Sequence, residues 1–93
     1  METDLREILI ERGSRYGEFK RHALITTTLK ETLNAYGDTL DADHREALDM
    51  IMHKIGRILN GDPNYIDSWV DIAGYAQLVV DRLRNDQGNP KGS

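Results

Sequence analysis

The segment HREALDMIMHKIGRILNGDPNYIDSWVDIAGYAQLVVDRL, residues 44–83, contains two apolar stripes separated by a short break at residues 61–63. Both stripes recur every three or four residues, which is the spacing of one helical face. The first stripe is Leu48, Ile51, Met52, Ile55, Ile58 and Leu59, and the second is Ile66, Trp69, Ala73, Ala76, Val80 and Leu83. Because so short a break leaves room only for a tight turn, we predict an antiparallel helical hairpin.

Two further helices are predicted before this hairpin, which gives an all-α domain of four helices. The first begins near Asp4 and ends at Gly13, where glycine favours termination. The second runs from about Glu18 to Tyr36 and is followed by Gly37. Its predicted apolar face consists of Phe19, Ala23, Leu29, Leu33 and Tyr36.

The ends of the hairpin helices are predicted from capping residues. Either Asp41 or Asp43 caps the third helix, which ends at Asn60-Gly61. Pro63 suits the first turn of the fourth helix, where its missing N–H costs nothing. Residues 1–84 therefore form one helical domain, and residues 85–93 form a flexible tail.

Length and composition restrict the class of protein. Its 93 residues can build only a small core, so association with a second copy is expected. A net charge of −4 argues against general nucleic-acid binding. The chain has no cysteine, and no apolar run in it is long enough to cross a membrane. We therefore expect a cytoplasmic protein.

Four charged residues are predicted to meet across the hairpin. The short turn sets Asp71 level with Lys54, and it sets Asp67 near Arg57. These pairs could be salt bridges that fix the helix register, or they could line a pocket for phosphate. On the same stripe, Trp69 is predicted to be buried against the third helix or a partner chain.

A metal site is a further possibility on the hairpin. Asp49, Asp67 and Asp71 could hold Mg²⁺, a cation that prefers oxygen ligands. Glu46 lies too far along the helix to join them, by ~10 Å at 1.5 Å per residue. Without metal, Glu46 and Asp49 are ordinary acids near the start of a helix.

Basic residues around the start of the second helix suggest an anion site. Arg15, Lys20, Arg21 and His22 lie near free helix N–H groups. Arg15 and Tyr16, held between two glycines, are the best candidates to contact a ligand. On the hairpin, His53 is predicted to pack at the core edge, and Gly56 and Gly74 permit close helix approach or leave room for a ligand.

The sequence resembles a family of small proteins from tailed phages and prophages. The resemblance is carried by residues 11–19 (ERGSRYGEF), 53–62 (HKIGRILNGD) and 67–76 (DSWVDIAGYA). More distantly, it is similar to the phage nucleotide-modification-associated domain and to the all-α nucleotide pyrophosphohydrolases of the MazG type. Those enzymes show Glu-x-x-Glu followed by Glu-x-x-Asp, where this chain has Glu46-x-x-Asp49 and Asp67-x-x-x-Asp71.

The residues and the resemblance together leave three functions open. The first is a phage accessory protein that binds a nucleotide or phosphate through Arg15, Tyr16, Lys54 and Arg57 without catalysis, acting on nucleotide pools or a host defence signal. The alternative is a Mg²⁺-dependent nucleotide pyrophosphohydrolase with Asp49, Asp67 and Asp71 on the metal. A third possibility is a protein that docks on and inhibits a host factor. The extra residue in Asp67-x-x-x-Asp71 favours binding over hydrolysis.

Overall fold

A computed structural model describes residues 18–88, which form three α-helices joined by short connectors. They are α1 (Phe19–Tyr36), α2 (Ala42–Asn60) and α3 (Ile66–Asp86). The prediction of an all-α fold is confirmed. Four helices were predicted for the whole chain and three are found in this part, because the predicted helix at residues 4–13 lies outside it. None of the three is long and apolar enough to span a membrane.

The start of α2 is fixed by Asp41, one of the two predicted caps. Asp41 and His44 form a reciprocal capping box. In it, the backbone N–H of Asp41 donates to Nδ1 of His44 at 3.0 Å. The exchange satisfies N–H groups that would otherwise lack partners at the helix start.

The predicted place of Pro63 in the first turn of a helix is wrong. The carboxylate of Asp62 accepts a hydrogen bond from the N–H of Asn64 at 2.9 Å, and its carbonyl accepts one from the N–H of Tyr65 at 3.2 Å. These bonds close a turn over residues 62–65, in which proline suits the second position. Helix α3 therefore begins only at Ile66.

At its other end, α3 continues to Asp86, two residues into the segment predicted as a tail. An ion pair between Arg82 Nη1 and Asp86 Oδ2, at 2.8 Å, joins the last turn of the helix. Gly88 follows with a φ of 69°, a conformation that glycine adopts without strain. The last residues of the predicted tail, 89–93, lie outside the described part of the chain.

Helix α2 is the centre of the fold. Both α1 and α3 pack against it, whereas these two outer helices do not contact each other. The hairpin of α2 and α3 is antiparallel, as predicted. Lys54 of α2 pairs with Asp71 of α3, and Asp43 of α2 pairs with Arg82 of α3. A step of eleven residues toward the start of α2 therefore matches a step of eleven residues toward the end of α3.

The buried residues are few and differ from the predicted core. Within residues 18–88 the buried hydrophobic side chains are Ala47 and Met52, and His22, Thr26 and Ser68 are the buried polar ones. The predicted apolar face of α1 is wrong at both ends, because Phe19 is 80% exposed and Tyr36 is 81% exposed. Helix α1 instead turns His22 and Thr26 toward α2.

The predicted apolar stripe of α3 also lies outside the core. Ser68 is buried. Counted from Ser68, steps of four, three and four residues lead to Ile72, Tyr75 and Val79, which are half-buried. Trp69 is 52% exposed, so its predicted burial against the preceding helix is wrong. Ser68, and not Trp69, therefore lies on the buried side of α3.

Helix α2 has two sides that neither α1 nor α3 covers fully, one apolar and one polar. Residues seven and eleven apart share a helical face. By this spacing, one side of α2 carries Leu48, Ile55 and Leu59, and the other carries Glu46, His53 and Arg57. The polar side contains the candidate site.

Candidate functional site

Gly56 brings α1 close to α2. A Cβ atom at this position would lie 2.8 Å from Cγ2 of Thr26 and 2.9 Å from Cε1 of His22. Both distances are shorter than ordinary carbon contacts, so only glycine leaves room for these two side chains. Gly56 thus permits a close approach to α1, and not to the facing helix of the hairpin, which was the expected partner. Gly74 has nothing within 4 Å of an added Cβ and makes no such contact.

The contact at Gly56 places three positive or protonatable groups together on the polar side of α2. The ring centroids of His22 and His53 are 5.7 Å apart, with 24° between their planes. Arg57 is close enough to act electrostatically on His22. We call His22, His53 and Arg57 the cationic cluster. Phe19 extends the row of rings, with its centroid 6.5 Å from that of His22.

His22 is the buried member of the cationic cluster. Its Nδ1 atom has no hydrogen-bond partner. Burial lowers the pKa of His22 below its ordinary value of 6.5, and the positive charges of His53, Arg57 and Lys30 lower it further, against an opposing effect of the Gly56 backbone. The neutral form of His22 is therefore favoured.

The chain enters α1 beside the cationic cluster. Nδ2 of Asn60 donates to the carbonyl oxygen of Glu18 at 2.7 Å, which ties the first described residue to the end of α2. Asn60 lies one helical turn from Arg57. Arg15 and Tyr16, two of the predicted ligand-binding residues, precede Glu18 by three and two positions and lie outside the described residues.

Lys54 is in the predicted contact with Asp71. The distance from Nζ to Oδ2 is 2.8 Å, and the Lys54 side chain is only 12% exposed. Because its ammonium group is already paired and largely covered, Lys54 has little surface to offer a phosphate. The structural interpretation of this pair, a bridge between α2 and α3, accounts for its geometry. The contact between Asp67 and Arg57 stays a prediction.

The structure does not bring the three predicted metal ligands together. Asp49 turns toward α1, where Oδ1 lies 3.2 Å from Nζ of Lys30. Asp71 turns toward Lys54, and Asp67 is exposed. Asp49 thus pairs with a lysine of α1, and Asp71 pairs with a lysine of α2, on opposite sides of α2. The sequence could not show this, because it does not give the rotation of α2 relative to α1.

Among residues 18–88, one group has the spacing of metal ligands, namely Asp41, Asp43 and His44. The guanidinium of Arg82 already occupies it. Nε of Arg82 donates to Oδ2 of Asp43 at 2.7 Å, and Nη2 donates to Oδ2 of Asp41 at 3.1 Å. These bonds lower the pKa of Asp43 and raise that of Arg82. We interpret the group as an arginine clamp between the ends of the hairpin.

The sequence did not indicate a role for Asn60 or Arg82. It placed His22 among the basic residues at the start of a helix and His53 at the core edge, and it did not predict that the two rings meet. Knowledge of the register of α1 against α2 is needed to predict that His22 and His53 are neighbours. That register is anchored by Arg45, whose Nη2 donates to the carbonyl oxygen of Gly37 at 3.2 Å, a bond that the sequence alone does not reveal.

Comparison with known proteins places the chain in a family. No curated protein and no solved structure matches it. The model of one family, described as a domain of unknown function (DUF6378), matches residues 1–83. This match includes all but the last three residues of α3, and it also includes the segment before α1. The chain is therefore a member of the DUF6378 family.

Proposed function

We propose that the protein binds a nucleotide or a related phosphate ligand at the cationic cluster, without catalysis. We place this activity in the cytoplasm of a phage-infected or lysogenic bacterium, where the ligand belongs to the nucleotide pool or is a host defence signal. The observation that carries the proposal is the convergence of His22, His53 and Arg57 in a chain of net charge −4.

Electrostatics support an anion as the ligand. Burial and the charge of Arg57 disfavour protonation of His22, and an anion beside these groups would make its protonation more favourable. Arg57 contributes a planar guanidinium, which can grip two phosphate oxygens at once. A phosphate is the common biological anion that uses all these groups.

An exposed aromatic ring favours a nucleotide over a simple phosphate. Phe19 is 80% exposed and stands at the end of the row of rings formed with His22 and His53. Exposed aromatic rings beside basic groups provide stacking surfaces for nucleobases, worth ~1–3 kcal/mol per base. In this arrangement the base stacks on Phe19 while the phosphates meet the cationic cluster.

Chain connectivity supports a role for Arg15 and Tyr16. Arg15 precedes Glu18 by three residues in the sequence, and the carbonyl of Glu18 accepts a hydrogen bond from Asn60, one helical turn from Arg57. We therefore assign Arg15 a second phosphate contact beside Arg57, and Tyr16 a contact to the ligand. In this arrangement Lys54 contributes only by holding α3 in place through Asp71.

The pairing of the carboxylates favours binding over hydrolysis. A pyrophosphohydrolase would need Asp49, Asp67 and Asp71 to converge on Mg²⁺. Asp49 and Asp71 instead form ion pairs on opposite sides of α2. Assembly of the metal site would require both pairs to break and the side chains to turn toward each other.

Calorimetric titration with ATP, dATP and inorganic pyrophosphate, with and without Mg²⁺, tests the proposal. We expect binding to weaken at least tenfold in Arg57→Ala and in Arg15→Ala, and to weaken for ATP but not for pyrophosphate in Phe19→Ala. Arg84→Ala is the matched control, since it removes one exposed positive charge near the end of α3. Circular dichroism melting verifies that each variant is folded.

The pH dependence of binding provides a second test. Because an anion stabilises protonated His22, binding takes up protons and should be tighter at pH 6 than at pH 8. The proposal fails if the parent protein binds none of the three probes. It also fails if folded Arg15→Ala and Arg57→Ala bind as well as Arg84→Ala does. Release of inorganic phosphate or pyrophosphate in the presence of Mg²⁺ would instead support the enzyme.

A further inference from the structure

We infer that the outward face of α3 is a docking surface for a second copy of this chain, packed antiparallel about a two-fold axis. The inference concerns residues distinct from the cationic cluster and does not depend on the proposed ligand. Its starting point is the apolar stripe that the fold turns away from α2. We call this stripe the α3 seam, and its members are Ile66, Trp69, Ala73, Ala76, Val80 and Leu83.

The α3 seam has the pattern of a helix–helix interface, yet five of its six residues are exposed in the described part of the chain, and Leu83 is half-buried. Its spacings are three, four, three, four and three residues, which is the period of packed helices. Ile66 is 68% exposed and Trp69 is 52% exposed, whereas the side chain of Ser68 between them is buried. Helix α3 already packs against α2 through its other face, so a second apolar face indicates a second packing partner.

The order of large and small side chains along the seam is the same in both directions. This symmetry favours a second copy of the chain as the partner. In order, it presents two large side chains, two alanines and two large side chains, at symmetric spacings. An antiparallel pair of α3 helices would set Ala73 opposite Ala76 of the second copy. The alanines permit close approach at the centre, where the helices cross. A closed two-fold interface needs this kind of self-complementary surface.

The same symmetry matches the large side chains of the seam. Trp69 of one chain meets Val80 of the other, and Ile66 meets Leu83. The indole N–H of Trp69 already donates to the carbonyl oxygen of Pro63 at 2.8 Å. The exposed part of the ring is therefore apolar, and its burial in a dimer leaves no donor without a partner.

Sedimentation equilibrium of the parent and two variants tests the inference. We expect the parent mass to approach 21.2 kDa, twice 10.6 kDa, as concentration rises, with a shift of Trp69 emission to shorter wavelength. Ala76→Glu should remain at 10.6 kDa and keep its helical circular dichroism. Leu78→Glu is the matched control, because Leu78 is exposed on the far side of the same helix, and it should dimerise like the parent.

Mixing two variants tests the antiparallel arrangement. Ala73→Glu and Ala76→Lys should each be monomeric alone. An equimolar mixture should regain dimers, because position 73 of one chain faces position 76 of the other and the new charges attract. A parallel pair would set each position opposite its own copy and gain no such pairing. Failure of the mixture to form dimers would overturn the antiparallel assignment.

Two other results would overturn the docking proposal itself. One is a parent that stays monomeric at all concentrations. If Ile8→Glu then moves Trp69 emission to longer wavelength, the seam is covered by the segment before α1 instead of a second copy. The other is a dimer that survives Ala76→Glu, which would place the interface elsewhere. Nucleotide titration of the same samples shows separately whether the cationic cluster functions.

Discussion

Replacement of Gly56 by alanine tests whether α1 and α2 are as close as the structure places them. The added Cβ would lie 2.8 Å from a methyl of buried Thr26 and 2.9 Å from the ring of buried His22. Neither neighbour is the free end of a flexible chain, since threonine is β-branched and the histidine is a rigid ring. Overpacking of this kind costs ~1–3 kcal/mol. Alanine also gains ~1 kcal/mol over glycine inside a helix, so the net loss is ~0–2 kcal/mol.

Gly74→Ala is the matched control for this experiment. An added Cβ at Gly74 meets nothing within 4 Å, so this variant should gain the full helical preference of ~1 kcal/mol. The helical term cancels between the two variants, and a gap of ~1–3 kcal/mol measures overpacking alone. In thermal melting, each kcal/mol corresponds to a shift of about 4–8 °C for a domain of this size.

A double variant shows where the strain arises. Thr26→Ser removes the nearest methyl but keeps the hydroxyl, which donates to the carbonyl oxygen of Ala23 at 3.2 Å. Combined with Gly56→Ala, it should recover part of the lost stability, and a double-mutant cycle isolates that coupling. Equal changes in the melting temperatures of Gly56→Ala and Gly74→Ala would refute the close contact.

Three further predictions concern charged groups. Asp71→Ala should lower the unfolding free energy, measured by urea titration, by about 1–3 kcal/mol, because loss of the carboxylate leaves the covered ammonium of Lys54 unpaired. Lys54→Met should lower it by less, because no buried charge then remains. Arg82→Gln should lower the melting temperature at neutral pH, and the difference from the parent should vanish as pH falls through the lowered pKa of Asp43, below its ordinary 3.8. The parent should lose stability as pH falls below the ordinary histidine pKa of 6.5, since the pKa of His22 is lowered on folding; His22→Gln should show a shallower decline in the same pH series.

The sequence predicted the hairpin well because its determinants are local. Two helical stripes and a break of a few residues leave one arrangement, and the register followed closely enough to pair Lys54 with Asp71. The end of α1 and the cap at Asp41 were likewise predictable from short-range signals. These features depend on residues within a few turns of one another.

The sequence did not predict which face of each helix is buried. The strongest apolar stripe of α3 was assigned to the core, yet Ser68 occupies the contact and Trp69 points outward. At Gly56 a small residue decides the outcome, because α1 approaches α2 where a larger side chain would hold the helices apart. Hydrophobic patterning carries no information about such fits. The cationic cluster was overlooked for the same reason, since it depends on the approach at Gly56.

The central position of α2 has a consequence for how the chain folds. Every contact between the described helices joins neighbours in sequence, so each pairing closes only a short loop. Topologies of this kind have low contact order and fold quickly, on a scale of about microseconds to milliseconds. Both hairpins share α2, so neither outer helix has a packing partner among the described helices until α2 is formed. We therefore expect substitutions in α2 to slow folding, and substitutions confined to α1 or α3 to act mainly by accelerating unfolding.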